Sequence, residues 1–424
     1  MIEPRALLVG SFGAAVAAAD PLVIVPRHLP APPRGRTVVV GAGKAAGAMA
    51  VAVESHWPRE APLEGTVITR YGHGLPTSRI RVVEAGHPVP DEHGEQAARA
   101  ILESVRSLGP DDLVLALVSG GGSALLSLPV PGVPMADLKA VTRALLACGA
   151  PIQDMNTVRK HLSLIQGGRL SAATKARVLA LVISDVTGDD PTHIASGPCT
   201  PDPTTYADAV AILERFGVKP PDSIACHLER GLAGAEPETP KPGDAALART
   251  ENRVIATAHG SLEAAAAFVR AQGVRPLMLG DSVTGESSEV AKVYGALARE
   301  VRAHGEPAPA PVALISGGET TVTLRGKGRG GRCSEFLLSL AVDLAGLEGT
   351  WALACDTDGI DGSEDNAGAV LTPDALTRAT SLGLAPKRML ADNDGYGFFS
   401  ALGDLVVTGP TRTNVNDFRI ILVA

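Results

Sequence analysis

From Thr37 onward, apolar residues recur in short uninterrupted runs, each ended by glycine, serine or aspartate and separated from the next by stretches with helical spacing. Val38-Val39-Val40 opens the series. A glycine turn, an Ala-rich helix to about His56 and the run Thr66-Val67-Ile68-Thr69 complete a βαβ unit. Residues 80–84, 113–118 and 178–183 read as further strands. Continuous apolar strands alternating with helices predict a parallel sheet covered on both faces, with ligands at the carboxyl ends of its strands. Before this series, Leu7, Leu8, Phe12, Val16 and Ala19 fall on one helical face, so residues 6–19 are expected to form a helix. Glu3 and Pro4 stand where a signal sequence would place basic residues.

Between Ala235 and Asn252 the chain turns to Pro, Glu, Lys and Gly, a composition that sustains neither a helix nor a central strand. A domain boundary is expected there, giving an N-terminal domain over 1–240 and a C-terminal one over 250–424. Beyond it, strands are predicted at 254–256 and 276–279, helices at 261–272 and 287–304, and a Pro-rich loop at 307–311 before the next strand. The two parts echo each other. LALVSGGGS (115–123) matches VALISGGET (312–320), and LALVISDVTGD (179–189) resembles LACDTDGID (353–361). The expected architecture is α/β: two Rossmann-like α/β lobes with mainly parallel sheets, facing each other across an interdomain active-site cleft.

Composition narrows the function. A net charge of −8 with Trp 2, Tyr 4 and Phe 7 argues against a nucleic-acid binder, which needs a positive field and stacking rings. No other apolar run approaches the roughly 20 residues of a membrane span, so no membrane partner is expected. Five scattered cysteines without a C-x-x-C suggest neither a disulfide framework nor a zinc site and fit a reducing cytoplasm.

Gly41-Ala-Gly43-Lys44-Ala-Ala-Gly47 follows a strand and opens a helix, where free amides favour an anion. Lys44 is the informative residue, because a cation in a first helical turn opposes the macrodipole by a few tenths of a kcal/mol unless an anion offsets it. It also persists in a chain with 9 Lys against 29 Arg. Ser119-Gly120-Gly121-Gly122-Ser123 can fold into a nest of amides rimmed by two hydroxyls, suited to phosphate oxygens. No G-x-x-x-x-G-K-[ST] occurs in the sequence. The segment 154–161 reads as a capped helix start, so Arg159, Lys160 and His161 are expected near its amino end, as an anion contact or a solvated basic face. Asp185, Asp189 and Asp190, and then Asp356, Asp358 and Asp361, are carboxylate clusters that need a divalent cation or a shared proton, or else shape their turns as Asx motifs. Gly326-Lys-Gly-Arg-Gly-Gly-Arg332 is a basic glycine-rich loop feeding another helix, where Arg332 could grip a carboxylate or phosphate with two parallel hydrogen bonds. His87 and His193 are candidates for polar contacts only.

Taken in order, nine segments carry a resemblance: VVVGAGKAAGAM (38–49), AGHPVPDEHG (85–94), VSGGGSALL (118–126), MNTVRKHLSLIQGGRL (155–170), ISDVTGDDPTHIASGP (183–198), ISGGETTVT (315–323), GRGGRCSE (328–335), DTDGIDG (356–362) and GPTRTNVND (409–417). Together they resemble the class II glycerate kinases, the glycerate 2-kinase family whose C-terminal part is called the MOFRL domain. The resemblance implies transfer of the ATP γ-phosphoryl group to the 2-hydroxyl of D-glycerate, with Lys44 and Arg332 as the expected catalytic pair. It also implies ATP and D-glycerate as small-molecule partners, Mg²⁺ as cofactor, and a monomer or homodimer. On this reading Gly41, Gly43 and residues Ser119, Gly120, Gly121, Gly122 and Ser123 cradle the nucleotide phosphates. Asp185 and Asp189 hold the metal, with Asp189 also the expected base, and Arg159, Lys160, Arg332 and Asp358 contact the acceptor. The chain departs from the family pattern at Cys333-Ser334, where Asn-Gln is usual, and at Arg412, where a small residue is usual. The rival readings are an NAD(P)-dependent hydroxypyruvate reductase, from the dinucleotide-like turn at Gly41, and an anion-binding regulatory protein without turnover.

Overall fold

In a computed structural model, which describes residues 3–424, the apolar runs of the first half form strands where the sequence places them. β1 (Thr37–Ala42), β2 (Leu63–Arg70), β3 (Ile80–Ala85), β4 (Leu113–Val118), β5 (Arg177–Ile183) and β6 (Thr250–Ala256) build one sheet in the order β3-β2-β1-β4-β5-β6. The pairs β2–β3, β1–β2, β1–β4 and β4–β5 are parallel. β1 and β4 are buried along their whole length, which is why they read as unbroken apolar runs. The helix Glu92–Arg106 shows how the cover forms. Asp91 caps it through the Gly94 amide, and Ala97, Ala98, Ile101, Leu102 and Val105 recur at helical spacing and pack in one core with Val38, Val40 and Val114. Strand order reverses between β1 and β4, so a ligand crevice is expected beyond the carboxyl ends of these two strands.

The second sheet differs from expectation. β7 (Arg275–Gly280), β8 (Val312–Ser316), β9 (Thr350–Asp356), β10 (Gly368–Leu371), β11 (Leu405–Val406) and β12 (Asp417–Val423) stand in the order β11-β10-β9-β12-β8-β7. Only β7–β8 is parallel, and the other four pairs are antiparallel. This sheet is mixed, and not mainly parallel, because β12 returns between β8 and β9, while the connection from β9 to β10 is too short for a parallel crossover. Since β12 runs against both neighbours, β8 and β9 point the same way. Their carboxyl ends therefore share one sheet edge with the start of β12, where Asp417 pairs with Asp356 and Arg419 with Ser316.

The division of the chain also differs from the expected break at 240–250. One compact unit is Pro21–Ile255, and the other joins Met1–Asp20 to Ala256–Ala424. The Pro-rich stretch stays with the first unit because it is tied to it. The Tyr206 amide donates to Glu238 (3.0 Å), Thr239 to Asp202 (3.1 Å) and the Asp202 amide to the Pro240 carbonyl (2.8 Å). The helix Pro4–Ala18 joins the second unit because Leu7, Leu8, Phe12 and Ala15 pack with Leu262, Val269, Phe418 and Ile420. Among the described residues, no single helix is long and apolar enough to cross a membrane.

Candidate active site

At the crevice of the parallel-sheet unit, the turns after β1 and β4 are stitched together. The Lys44 amide donates to the Gly120 carbonyl (2.8 Å), the Ala45 amide to Ser119 Oγ (3.0 Å) and the Ser119 amide to the Ala42 carbonyl (3.2 Å). Gly41 and Gly43 are required by this closeness. A Cβ on Gly41 would lie 1.9 Å from the Leu117 carbonyl oxygen, and one on Gly43 would lie 2.1 Å from Ser119 Oγ. Their lack of a side chain thus serves strand packing before any ligand. Among the described residues the amides of Gly120 and Gly121 donate to no acceptor, and Gly121 takes a left-handed φ of 81° beside the His87 ring. That leaves two N–H groups at the end of a buried strand next to Lys44, the arrangement a phosphate oxygen needs.

A chain of polar side chains runs from this turn. Ser123 Oγ meets Ser196 Oγ (2.9 Å), Ser196 Oγ donates to Asn156 Oδ1 (3.0 Å), and Arg159 Nη1 donates to the same oxygen (3.2 Å). Gln166 fixes the start of the chain through the Ser123 carbonyl (2.9 Å). Ala195, Ser196 and Gly197 all have left-handed φ values of 51°, 56° and 58°. Two consecutive non-glycine residues in that region are strained, by about 1–3 kcal/mol each, and persist only where the surroundings fix them. Here Ala195 lies so close to Gly122 that a Cβ there would come within 2.4 Å of its methyl.

Arg159 ends this chain without a carboxylate: Asn156 is its one side-chain hydrogen-bond partner among the described residues, and burial lowers its pKa. The helix carrying it runs Ile152–His161, so Arg159, Lys160 and His161 occupy its last turn, not its first. The macrodipole favours them there, so these cations need no anion to offset them. Lys160 is neither solvated nor open to a ligand. Its ammonium is buried against Asp202 (3.4 Å). Burial alone would raise the Asp202 pKa, and Lys160 with the Thr204 hydroxyl turns the shift downward. On the turn after β5, Asp190 accepts an Asx bond from the Thr192 amide (2.9 Å), while the Asp189 carboxylate, on a residue with φ 55°, makes no hydrogen bond or ion pair among the described residues. Asp185 is half-buried on the same turn.

In the mixed-sheet unit, Arg332 opens the helix Arg332–Leu344 at the shared sheet edge. Nε donates to Asp417 (2.7 Å), Nη2 to Asp356 (2.8 Å) and Nη1 to Glu319. Burial would lower its pKa, but the three carboxylates outweigh it and hold the pKa well above the usual value. Three of the five guanidinium N–H groups are engaged, which leaves two for a ligand. Asp361 is buried and accepts the amides of Cys333 (2.9 Å) and Ser334 (2.8 Å), fixing the helix start, while its burial pushes its own pKa up. Asp358, also buried, accepts the Ile360 amide (2.9 Å), so it shapes its own turn. Ser334 accepts the Gly331 amide (3.0 Å) as a cap, and Arg412 is exposed with a left-handed φ of 62°, a backbone suited to the smaller residue usual there.

The basic glycine-rich loop is not an open nest. The Arg325 and Gly326 amides donate to Asn393 (2.7 and 3.1 Å), Lys327 to Asp392 (3.0 Å) and Arg329 to Asp394 (3.2 Å). Asn393 is held in turn by Glu335 (3.2 Å). Burial, reinforced by Glu286, pushes the Glu335 pKa up to about 7 from an ordinary 4.5. Between these values the unfolded chain ionises Glu335 while the folded one keeps it protonated. Stability therefore falls as pH rises through that window, by on the order of 3 kcal/mol in all. Urea unfolding at pH 5 and pH 8 should show a smaller loss for Glu335→Gln than for the unsubstituted protein. Equal losses would mean that Glu335 is ionised in the fold.

Sequence reasoning singled out Lys44, the two glycine turns and Arg332, but not Asn156, Ser196, Gln166, Glu319 or Asp417 as site residues. Ser196 and Asp417 lie inside conspicuous motifs, yet only their partners reveal a role.

Two family models match the chain: DUF4147, a domain of unknown function, over residues 7–229, and the MOFRL family over residues 312–417. A relative from Agrobacterium vitis with a provisional hydroxypyruvate reductase name is 53% identical over 425 residues, covering 100% of this chain and 95% of its own. The glycerate 2-kinase of Pyrococcus horikoshii is 39% identical over 393 residues, 92% of this chain and 88% of its own. The crystal structure of glycerate kinase from Thermotoga maritima matches with a TM-score of 0.88 at 36% identity, over 99% of each chain.

Proposed function

The chain belongs to the class II glycerate kinase family, and we propose on that footing that it transfers the γ-phosphoryl group of ATP to the 2-hydroxyl of D-glycerate, giving 2-phospho-D-glycerate and ADP. The observation that carries this reading is the half-buried Arg159 guanidinium, which among the described residues has no carboxylate partner, at the end of a polar chain leading from the Ser119–Ser123 turn. A partly desolvated cation with no counterion among the described residues favours an anionic ligand, and both substrates are anions.

The free Gly120 and Gly121 amides and the Lys44 ammonium take the nucleotide phosphates. The two remaining N–H groups of Arg332 take the glycerate carboxylate, and Arg159 contacts the acceptor as well. Lys160 and Asp358, each engaged internally, support their own segments. In the reaction the 2-hydroxyl oxygen bonds to the γ-phosphorus, the bond to the ADP oxygen breaks, and Asp189 accepts the hydroxyl proton. Phosphoryl transfer asks little covalent chemistry of a protein, so positioning and charge neutralisation dominate. Magnesium fits this donor set as a companion of the nucleotide. Among the described residues no group of three or more His, Cys, Asp or Glu is arranged to hold a metal alone, and Mg²⁺ ordinarily takes one or two protein carboxylates plus phosphate oxygens. Asp185 and Asp189 would hold it, and there it would offset the charge on the transferring group.

The deciding assay is ADP release with Mg²⁺-ATP and D-glycerate, followed by separation of 2- from 3-phosphoglycerate. The glycine turn after β1 and the name carried by the Agrobacterium vitis relative favour a second reading, reduction of hydroxypyruvate. NAD(P)H oxidation dependent on hydroxypyruvate, without ADP release in the kinase assay, would establish that instead. Arg159→Met should raise the D-glycerate KM roughly tenfold to a hundredfold, the value of a charge-assisted contact, without lowering the melting temperature. An unchanged KM with a lowered melting temperature would make Arg159 purely structural.

A further inference from the structure

β12 reads Asp-Phe-Arg-Ile-Ile-Leu-Val, a wholly buried strand whose apolar run is interrupted by Asp417 and Arg419. An arginine with 0% exposure in the middle of a sheet is costly unless its nitrogens are answered, and among the described residues two of the three are, Nε having no partner. Arg419 Nη1 donates to the Gly317 carbonyl (3.0 Å), and Nη2 donates to Thr320 Oγ1 (3.1 Å) and to Asp417 Oδ2. Its guanidinium carbon lies 5.5 Å over the ring of Phe336, on the helix that Arg332 opens.

These contacts converge on Arg332 without touching it. Gly317 and Thr320 are the two ends of a turn whose third residue is Glu319, and Glu319 accepts from Arg332 Nη1. Asp417 divides its oxygens, Oδ1 to Arg332 Nε and Oδ2 to Arg419. Of the three carboxylates that aim the Arg332 guanidinium, one buried side chain therefore bonds Asp417 directly and clamps both flanks of the turn that carries Glu319. The turn has little stiffness of its own, with adjacent glycines at 317 and 318 and a φ of 99° at Gly318. Glu319 is itself half-exposed, so its placement depends on the clamp.

We propose that Arg419 is a positioning residue: by clamping the Gly317–Thr320 turn and sharing Asp417, it fixes the direction in which Arg332 presents its two unused N–H groups. This rests on the assignment of Arg332 to the glycerate carboxylate made above. Arg419 has no contact with substrate and acts only through Arg332.

The test is a double-mutant cycle with Arg419→Lys and Arg332→Lys, each alone and combined, with Thr320→Val as a milder variant in case Arg419→Lys does not fold. Melting curves establish folding, and steady-state kinetics give kcat and KM for ATP and for D-glycerate. Arg419→Lys keeps a charge for Asp417 but cannot span both ends of the turn. It should lower kcat/KM for D-glycerate roughly tenfold with a much smaller change in the ATP KM, and Thr320→Val should act in the same direction. In the Arg332→Lys background neither substitution should lower activity further. Equal fold losses in both backgrounds, or unchanged D-glycerate kinetics in a folded Arg419→Lys or Thr320→Val protein, would overturn the proposal. Normal D-glycerate kinetics in Arg332→Lys alone would instead refute the assignment of Arg332, and the proposal would fall with it.

Discussion

Alanine in place of Lys44 is expected to lower kcat by roughly 10²–10³-fold, the usual loss when one stabiliser of transition-state charge is removed, while barely moving the melting temperature. The two halves of this expectation come from different atoms. The contacts that stitch the turn after β1 to that after β4 use the Lys44 amide, donating to Gly120 (2.8 Å), and the neighbouring Ala45 amide, so alanine preserves them. What alanine removes is the ammonium, which on the proposed reading neutralises charge on the transferring phosphoryl group. Turnover measured by ADP release decides the matter, and a normal kcat in the folded variant would show that Lys44 has no part in the chemistry.

Arg332 carries the second large effect, and two substitutions separate its roles. Methionine would leave Asp356 and Asp417, with side chains 6% and 0% exposed, without the cation they share. Breaking a buried pair in this way costs about 3–5 kcal/mol, and the lower end applies because Asp417 keeps Arg419. Lysine retains a charge and should recover much of that stability. A single ammonium cannot reach three separated carboxylates and also offer a planar pair of donors outward. The D-glycerate KM of Arg332→Lys should therefore rise on the order of 10²-fold. Denaturant midpoints and steady-state kinetics on the same preparations test both halves. A wild-type KM in the lysine variant would show that the fork geometry is irrelevant to the acceptor.

The parallel sheet was readable because strands buried on both faces need long apolar runs, as β4 has throughout and β1 and β5 have after Thr37 and Arg177. β12 was not, since its run contains Asp417 and Arg419, and β11 has two residues, too few for any period to show. The echoing glycine and acidic turns placed β8 and β9 correctly but gave no hint of a strand between them. The bounds of the helix at 152–161 are not legible in the sequence because Asp154 looks like a cap, whereas the helix begins directly after Pro151. In the site, what local chemistry could announce was announced: a lysine at a helix entrance, three glycines after a strand, an arginine after a glycine run. Partners supplied by distant segments could not be, such as Asp417 for Arg332 at 85 residues' separation or Ser196 for Ser123 at 73.

The position of β12 has a consequence for biosynthesis. A ribosome makes the whole Pro21–Ile255 unit before it reaches the strand that belongs at the heart of the other sheet, so the first can close while the second still waits. Until residues 417–423 emerge, β8 and β9 face each other across a missing strand, with two unpaired hydrogen-bonding edges open to any neighbouring nascent chain. During translation, the interval that most invites chaperone capture is therefore the stretch between the synthesis of β9 and that of β12.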